Sequence, residues 1–167
     1  MIEVHDLVVL AEARWPEPGD GAPPGIPGFV ESAFNPLAAA AAERCLERAG
    51  RRKAVDGEFG AAGPTGPAGV TGVVVVTAGD RVSAMAVQEL VAAGKRVGPL
   101  FFFQSVPNSI AGWIAAKWDL RGPVVCVTDG GFDEAALLIG DGDADQVLIV
   151  QVAADEASAQ MVSGGES

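Results

Sequence analysis

The chain has 167 residues, 49% of them hydrophobic, which supplies one domain with a sizeable core and excludes a disordered chain. Its 22 acidic and 11 basic residues leave a net charge of −11, which excludes unaided binding to nucleic acid or to an anionic membrane. The same charge disfavours docking of a strongly acidic carrier protein except at two basic spots, Arg51-Arg52-Lys53 and the Lys117/Arg121 neighbourhood.

In chain order, Ile2 to Trp15 reads as a first strand with loose alternation. The proline-dense stretch at 16–28 reads as a loop, since proline removes backbone donors and fixes φ. "NPLAAAAAERCLERAG" then predicts a helix with Asn35 as N-cap, Pro36 at the first helical position and Gly50 as the stop. Residues 57–72 place glycine at every third position, the periodicity of collagen, but hold only about five triplets inside a globular pattern. A flexible or polyproline-like surface loop over 54–72 is the better reading.

"GVVVVTAGD" is too apolar to have a wet face and predicts a strand buried on both sides. "RVSAMAVQELVAAGKR" predicts a helix ended by Gly94. The run Phe101-Phe103 is β-like, and Asn108 is placed to cap a helix whose apolar stripe includes Ile110, Trp113 and Ile114. Val124 to Val127 predicts a strand that turns sharply at Thr128-Asp129-Gly130-Gly131 into a helix beginning near Asp133. A last buried strand covers "DQVLIVQVAAD", and residues 156–167 read as a polar, frayed tail. Strands alternating with helices predict one α/β domain over residues 1–155, layered, with a mainly parallel sheet and helices on both faces.

The chemistry-bearing residues are few. No apolar run reaches the roughly 18 residues of a membrane span, and the N-terminus has no basic flank or signal-like core, so a cytoplasmic location is expected. Cys45 and Cys126 form no CxxC pair, and with a single histidine, His5, no zinc set can be assembled. "GDGDAD" at 140–145 has aspartates at alternate positions of a calcium loop. Gln146 and Val152 stand where such a loop needs Gly and Glu, so a turn between helix and strand is the simpler reading. No phosphate-binding glycine motif follows a strand, and no metal or cofactor is expected. "FFFQSVPNSIAGWIAAKW" suits either a core-packed pair of elements or the lining of an acyl pocket.

Taken as a series, Pro99, "PNSIAGWIA" (107–115), "LRGP" (120–123), the glycine corner and "GDADQVLIV" (142–150) resemble the N-terminal half of β-ketoacyl synthases, within the thiolase-like superfamily. "NPLAAAAAERCLERAG" and "GVVVVTAGD" match that family's first long helix and second strand. The resemblance covers most of residues 1–155 and is nearest to short ketosynthase-like proteins of type II polyketide and polyene pathways.

What it implies about the site is specific. The family's nucleophilic cysteine, counted from Gly122, falls at Gly131, or at Gly130 with a one-residue slip. Cys126 is five residues too early. The histidines or asparagine that complete the family's site come from a C-terminal half that this chain is expected to lack. Decarboxylative condensation needs a thiolate to carry the acyl chain and neighbouring donors to stabilise the developing enolate and oxyanion. The resemblance therefore implies a vestigial elbow and acyl pocket at Asp129, Gly130, Gly131, Phe103 and Asn108. It also implies a dimer through an edge strand at Val124, Val125, Cys126 and Val127.

Three functions follow as expectations. One is a non-catalytic ketosynthase-like subunit that binds a ketosynthase or chain-length-factor partner, an acyl carrier protein or an acyl chain. Another is an isomerase or cyclase acting on a carrier-bound polyene, with Asp129, Asp133 or His5 as acid or base. The third is a self-associating scaffold without ligand.

Overall fold

The computed structural model describes residues 3–54 and 69–165, so most of the glycine-periodic tract lies outside the described residues. A 3-10 turn, Val4–Asp6, leads into β1 (Leu7–Trp15), α1 (Phe34–Arg48), β2 (Thr71–Val76), α2 (Arg81–Ala92) and α3 (Pro99–Gln104). Then come α4 (Pro107–Lys117), β3 (Val124–Val127), α5 (Gly131–Gly140), β4 (Gln146–Val152) and β5 (Ala157–Gly164).

The five strands form one sheet in the order β1-β5-β4-β2-β3. β2 pairs in parallel with β3 and with β4, whereas β5 runs antiparallel to both β4 and β1. The sheet is therefore mixed, with β5 opposed to the other four strands. β2 sits between two parallel partners and is buried along its whole length, as its unbroken valine run requires.

Alternate residues of β2 and β4 feed two separate cores. Val73, Val75, Leu148 and Val150 join α1 and α4 on one face. Val74, Val76, Val147 and Ile149 join Ala135 and Leu138 of α5 on the other. This period-2 division sorts the helices into layers on either side of the sheet. Gly122 fixes the approach of β3. A Cβ there would stand 2.6 Å from both Thr71 O and Gly72 N, and the Gly122 N–H donates to Thr71 O at 2.9 Å.

Four expectations are corrected. Residues 157–164 are not a frayed tail but β5, an interior strand paired on both sides. Its Ala157, Ala159 and Met161 are buried, alternating with half-buried Ser158 and Gln160. Phe101-Phe103 belongs to the short helix α3, which starts with Pro99 in its first turn behind Gly98. Asn35 is not the cap of α1. It lies inside the first turn, buried, and its Nδ2 donates to Gln104 O at 3.0 Å, tying α1 to α3. Likewise Val106 caps α4, and Asn108 sits exposed in its first turn.

A candidate ketosynthase-type elbow and sheet edge

β3 ends at Val127, and the chain turns through exposed Thr128, Asp129 and Gly130 into α5. Gly130 takes φ +68°, ψ 29°, the left-handed region that glycine enters without strain. The helix starts at Gly131, two residues before Asp133. A cavity of about 280 Å³ opens at this corner, lined by Val76, Thr128, Asp129, Gly130, Gly131, Phe132, Asp133, Ile149 and Gln151.

Gly131 is the decisive residue in that cavity. It is buried, and a Cβ placed on it would fall inside van der Waals contact of Val76 Cγ2 and 3.0 Å from Ile149 Cγ2. Methyl groups of β2 and β4 thus occupy the space a nucleophile's side chain would need. No side chain longer than hydrogen fits at 131 unless those methyls move.

The free N–H groups at the start of α5 offer the positive end of a helix dipole, the geometry of an anion cradle. Asp133 and Glu134 stand in the first turn of that helix, and Asp129 lies just before it. These carboxylates already complement the dipole and repel a second anion.

Of the residues singled out from sequence, Asp129, Gly130, Gly131 and Asp133 come together here. Phe103 and Asn108 are not among the cavity's lining residues. Phe103 sits on α3, about half exposed, with its ring 5.9 Å from that of Phe29. His5 lies in the 3-10 turn rather than in the first strand, and that turn packs against α5. Cys126 lies within β3, half-buried against the α1/α4 core, and burial raises the pKa of its thiol. Cys45 is fully buried within α1 and is pushed up to about 11 by the same desolvation, which outweighs the nearby Arg48. Neither thiol has the lowered pKa of an activated cysteine.

β3 is the terminal strand of the sheet, so its outer backbone edge has no partner in this chain. Val124, at its start, is 40% exposed. α2 carries the same signature more strongly. Ser83 is its one buried residue, and Val82, Met85 and Val91 are all more than half exposed. Leu100 and Phe102 of α3 and the nearby Val30 are also bare. Hydrogen bonds from Val30 N–H to Gln104 Oε1 at 3.0 Å and from Ser32 Oγ to Asp80 hold this region together. Sequence reading missed α2 as a surface feature, because its apolar content matched that of a helix packed on the sheet.

The two basic spots are largely neutralised. Lys53 and Lys117 both bind Glu43, and Arg121 binds Asp119. Arg51 is half-buried and donates to Thr71 and Gln146. Among the described residues, Arg14, Arg52, Arg81, Lys95 and Arg96 have no carboxylate partner, and the last three bracket α2. In the 140–145 turn, Asp145 Oδ2 accepts from Val70 N–H at 2.7 Å, while Asp145 N–H donates to Val70 O at 2.8 Å. That aspartate fastens the start of β2 to the start of β4. Among the described residues no helix is long and apolar enough to cross a membrane.

Compared by sequence, the chain matches no protein-family model and no curated protein. Compared by structure, it is similar to a chain of the ketosynthase ApeO in complex with its chain length factor ApeC from Xenorhabdus doucetiae. The TM-score is 0.69 at 16% identity, covering 97% of this chain and 80% of that one. It is also similar to the ishigamide ketosynthase/chain length factor, with TM-score 0.64 and 20% identity over 90% of this chain and 49% of that one. A third similar structure is AntDE:AntF, a type II polyketide synthase carrier protein in complex with its ketosynthase bound to the hexaketide. Its TM-score is 0.55 at 13% identity, over 80% of this chain and 47% of that one. The chain thus spans about half the length of the latter two and most of the first. What these ketosynthase structures share with it is the fold, a mixed sheet layered with helices.

Proposed function

We propose that the chain is a non-catalytic ketosynthase-fold subunit of a polyketide or fatty-acid-type assembly system. It acts by pairing with a ketosynthase-fold partner and presenting or receiving a carrier-borne acyl chain, without forming a thioester of its own. The observation that carries this reading is position 131, where the elbow keeps its shape and packed methyls take the space of a nucleophile. Acyl transfer by covalent catalysis needs an activated nucleophile at the corner, and both cysteines lie elsewhere with raised thiol pKa values.

Pairing is supported by the unpartnered edge of β3 and by the bare apolar surface of α2 and α3. A monomer of this size gains nothing from leaving an apolar helix uncovered, and an unprotected strand edge invites a second chain. For an acidic acyl carrier, the unpaired cations Arg81, Lys95 and Arg96 offer an approach that the neutralised spots at Lys53 and Lys117 do not. The experiment is co-purification of the tagged chain with a type II ketosynthase and its acyl carrier, at low and high salt. Capture of the ketosynthase is expected, and retention of neither partner sinks the reading.

A second reading has one supporting observation: Asp129 and Asp133 both line the elbow cavity. Either carboxylate would serve as acid or base toward a carrier-bound polyene. Turnover that disappears in Asp129→Asn or Asp133→Asn while the fold persists would favour this chemistry over the non-catalytic role.

A further inference from the structure

A second cavity lies on the other side of the sheet from the elbow, among the residues of α1 and α4. It measures about 400 Å³, within the roughly 300–1,000 Å³ range of small-molecule sites. Its lining includes Ala39 and Ala40 of α1, Pro24, Ile26 and Pro27, and two tryptophans, Trp15 and Trp113. Nothing in the proposed pairing role uses this cleft.

Its two tryptophans are held in place. Trp15 donates its indole N–H to Gly21 O at 3.2 Å, and the Arg44 guanidinium lies 4.3 Å from its ring centroid. Lys117 Nζ lies 4.6 Å from the ring centroid of Trp113. Both cations are in turn neutralised. Arg44 binds the two oxygens of Asp20 at 2.7 and 3.0 Å, and Lys117 binds Glu43 at 3.0 Å. The indole faces are thus positioned by paired charges that have little field left for an ion. Trp113 makes no hydrogen bond from its own N–H among the described residues, which leaves one donor free for a ligand acceptor.

We infer that this cleft is a binding site for an uncharged, flat ring system carrying a hydroxyl or carbonyl oxygen. Arg44 and Lys117 cover a face of each indole, so two pre-set rings favour a planar apolar body that meets their edges, a contact of low entropic cost when the rings are already fixed. The small side chains of Ala39 and Ala40 in the lining leave room for it. The neutralised rim selects against a formal charge of either sign, because a charged ligand would lose its hydration without gaining a counter-ion.

The test uses 2-naphthol as probe on the full chain labelled with ¹⁵N. Three tryptophans give three indole N–H resonances, assigned by single Trp→Phe substitutions. The Trp15 and Trp113 signals are expected to shift saturably while that of buried Trp118 stays still. Ala40→Leu, which fills that room without adding charge, should weaken the probe at least tenfold with the rest of the spectrum unchanged. The anionic analogue 2-naphthalenesulfonate should bind at least tenfold more weakly than 2-naphthol. Absence of saturable shifts, undiminished binding to the Ala40→Leu variant, or equal affinity for the sulfonate would each overturn the assignment.

Discussion

At the scale of single residues the account turns on Gly131. The ketosynthase resemblance implies a cysteine at this position, and the packing of Val76 and Ile149 against Gly131 leaves room for a hydrogen only. Gly131→Cys should therefore destabilise the fold by about 1–3 kcal/mol, the usual cost of overpacking a well-filled core. Val76→Ala in the same chain should return most of that loss, because it removes the methyl nearest the new Cβ. Chemical denaturation of the three variants measures this directly. A Gly131→Cys protein as stable as the parent would show that the elbow can still seat a nucleophile. The glycine turn at 130–131 into a helix was legible in the sequence. That its space was already filled was not, because Val76 and Ile149 lie 55 and 18 positions away and only the register of β2 on β4 brings them there.

Among the elements, β5 and β3 behave in opposite ways. β5 resembles a tail in sequence because six of the eight residues of "ASAQMVSG" are small or polar and carry little strand propensity. Its alternation of buried Ala157, Ala159 and Met161 with half-buried Ser158 and Gln160 is nonetheless a clean two-residue period. Two antiparallel neighbours supply the backbone partners that override propensity. Met161→Asp should unfold the protein outright, seen as loss of the cooperative thermal transition, since it buries an unpaired charge in the core. A folded Met161→Asp protein would contradict β5 as an interior strand. The α3 phenylalanines were misread for a related reason: β-prone residues follow a proline placed to start a helix, and no strand of the sheet had an open edge beside them. β1, α1, β2, α2, α4, β3, α5 and β4 were all legible, because each shows its own period or caps over enough residues.

β3 was also legible as an edge strand, though only through the family resemblance. Val124→Lys places a charge on that edge, a substitution that natural edge strands use to prevent pairing. It should leave the monomer's melting temperature within about 2 °C of the parent, as expected for a surface change away from caps and core. It should weaken capture of a ketosynthase partner at least tenfold. Equal capture by parent and variant would place the interface elsewhere, with the bare surface of α2 the next surface to test.

For the whole molecule, charge governs both stability and partnership. Glu17 is held below its ordinary value of 4.5 by its hydrogen bonds to Arg48, and Asp20 below 3.8 by those to Arg44. Burial works against Glu43, yet the hydrogen bonds from Lys53 and Lys117 outweigh it and lower that carboxyl as well. A carboxyl depressed in the folded state stabilises above its unfolded value and loses that contribution as pH falls through the folded one. The melting temperature should therefore hold from pH 7 to about 5 and fall as pH drops below about 4.5. A chain carrying Glu17→Gln, Asp20→Asn and Glu43→Gln should show a lower plateau and a shallower acid slope. Parallel profiles for the two proteins would mean that these pairs contribute nothing.

The two faces of the sheet carry different features. On one, the corner between β3 and α5 has a glycine turn and a cavity, and packed methyls fill the space beside Gly131. On the other, residues of α1 and α4 line a cleft with two tryptophans. An apolar α2 and the unpaired β3 edge remain uncovered, and these two features make a partner the central claim. Native mass spectrometry of the chain co-expressed with a type II ketosynthase tests it most directly. The account predicts a complex containing both proteins in equal numbers, absent when the chain carries Val124→Lys. A chain that flies alone beside a ketosynthase homodimer, with or without the substitution, would contradict it.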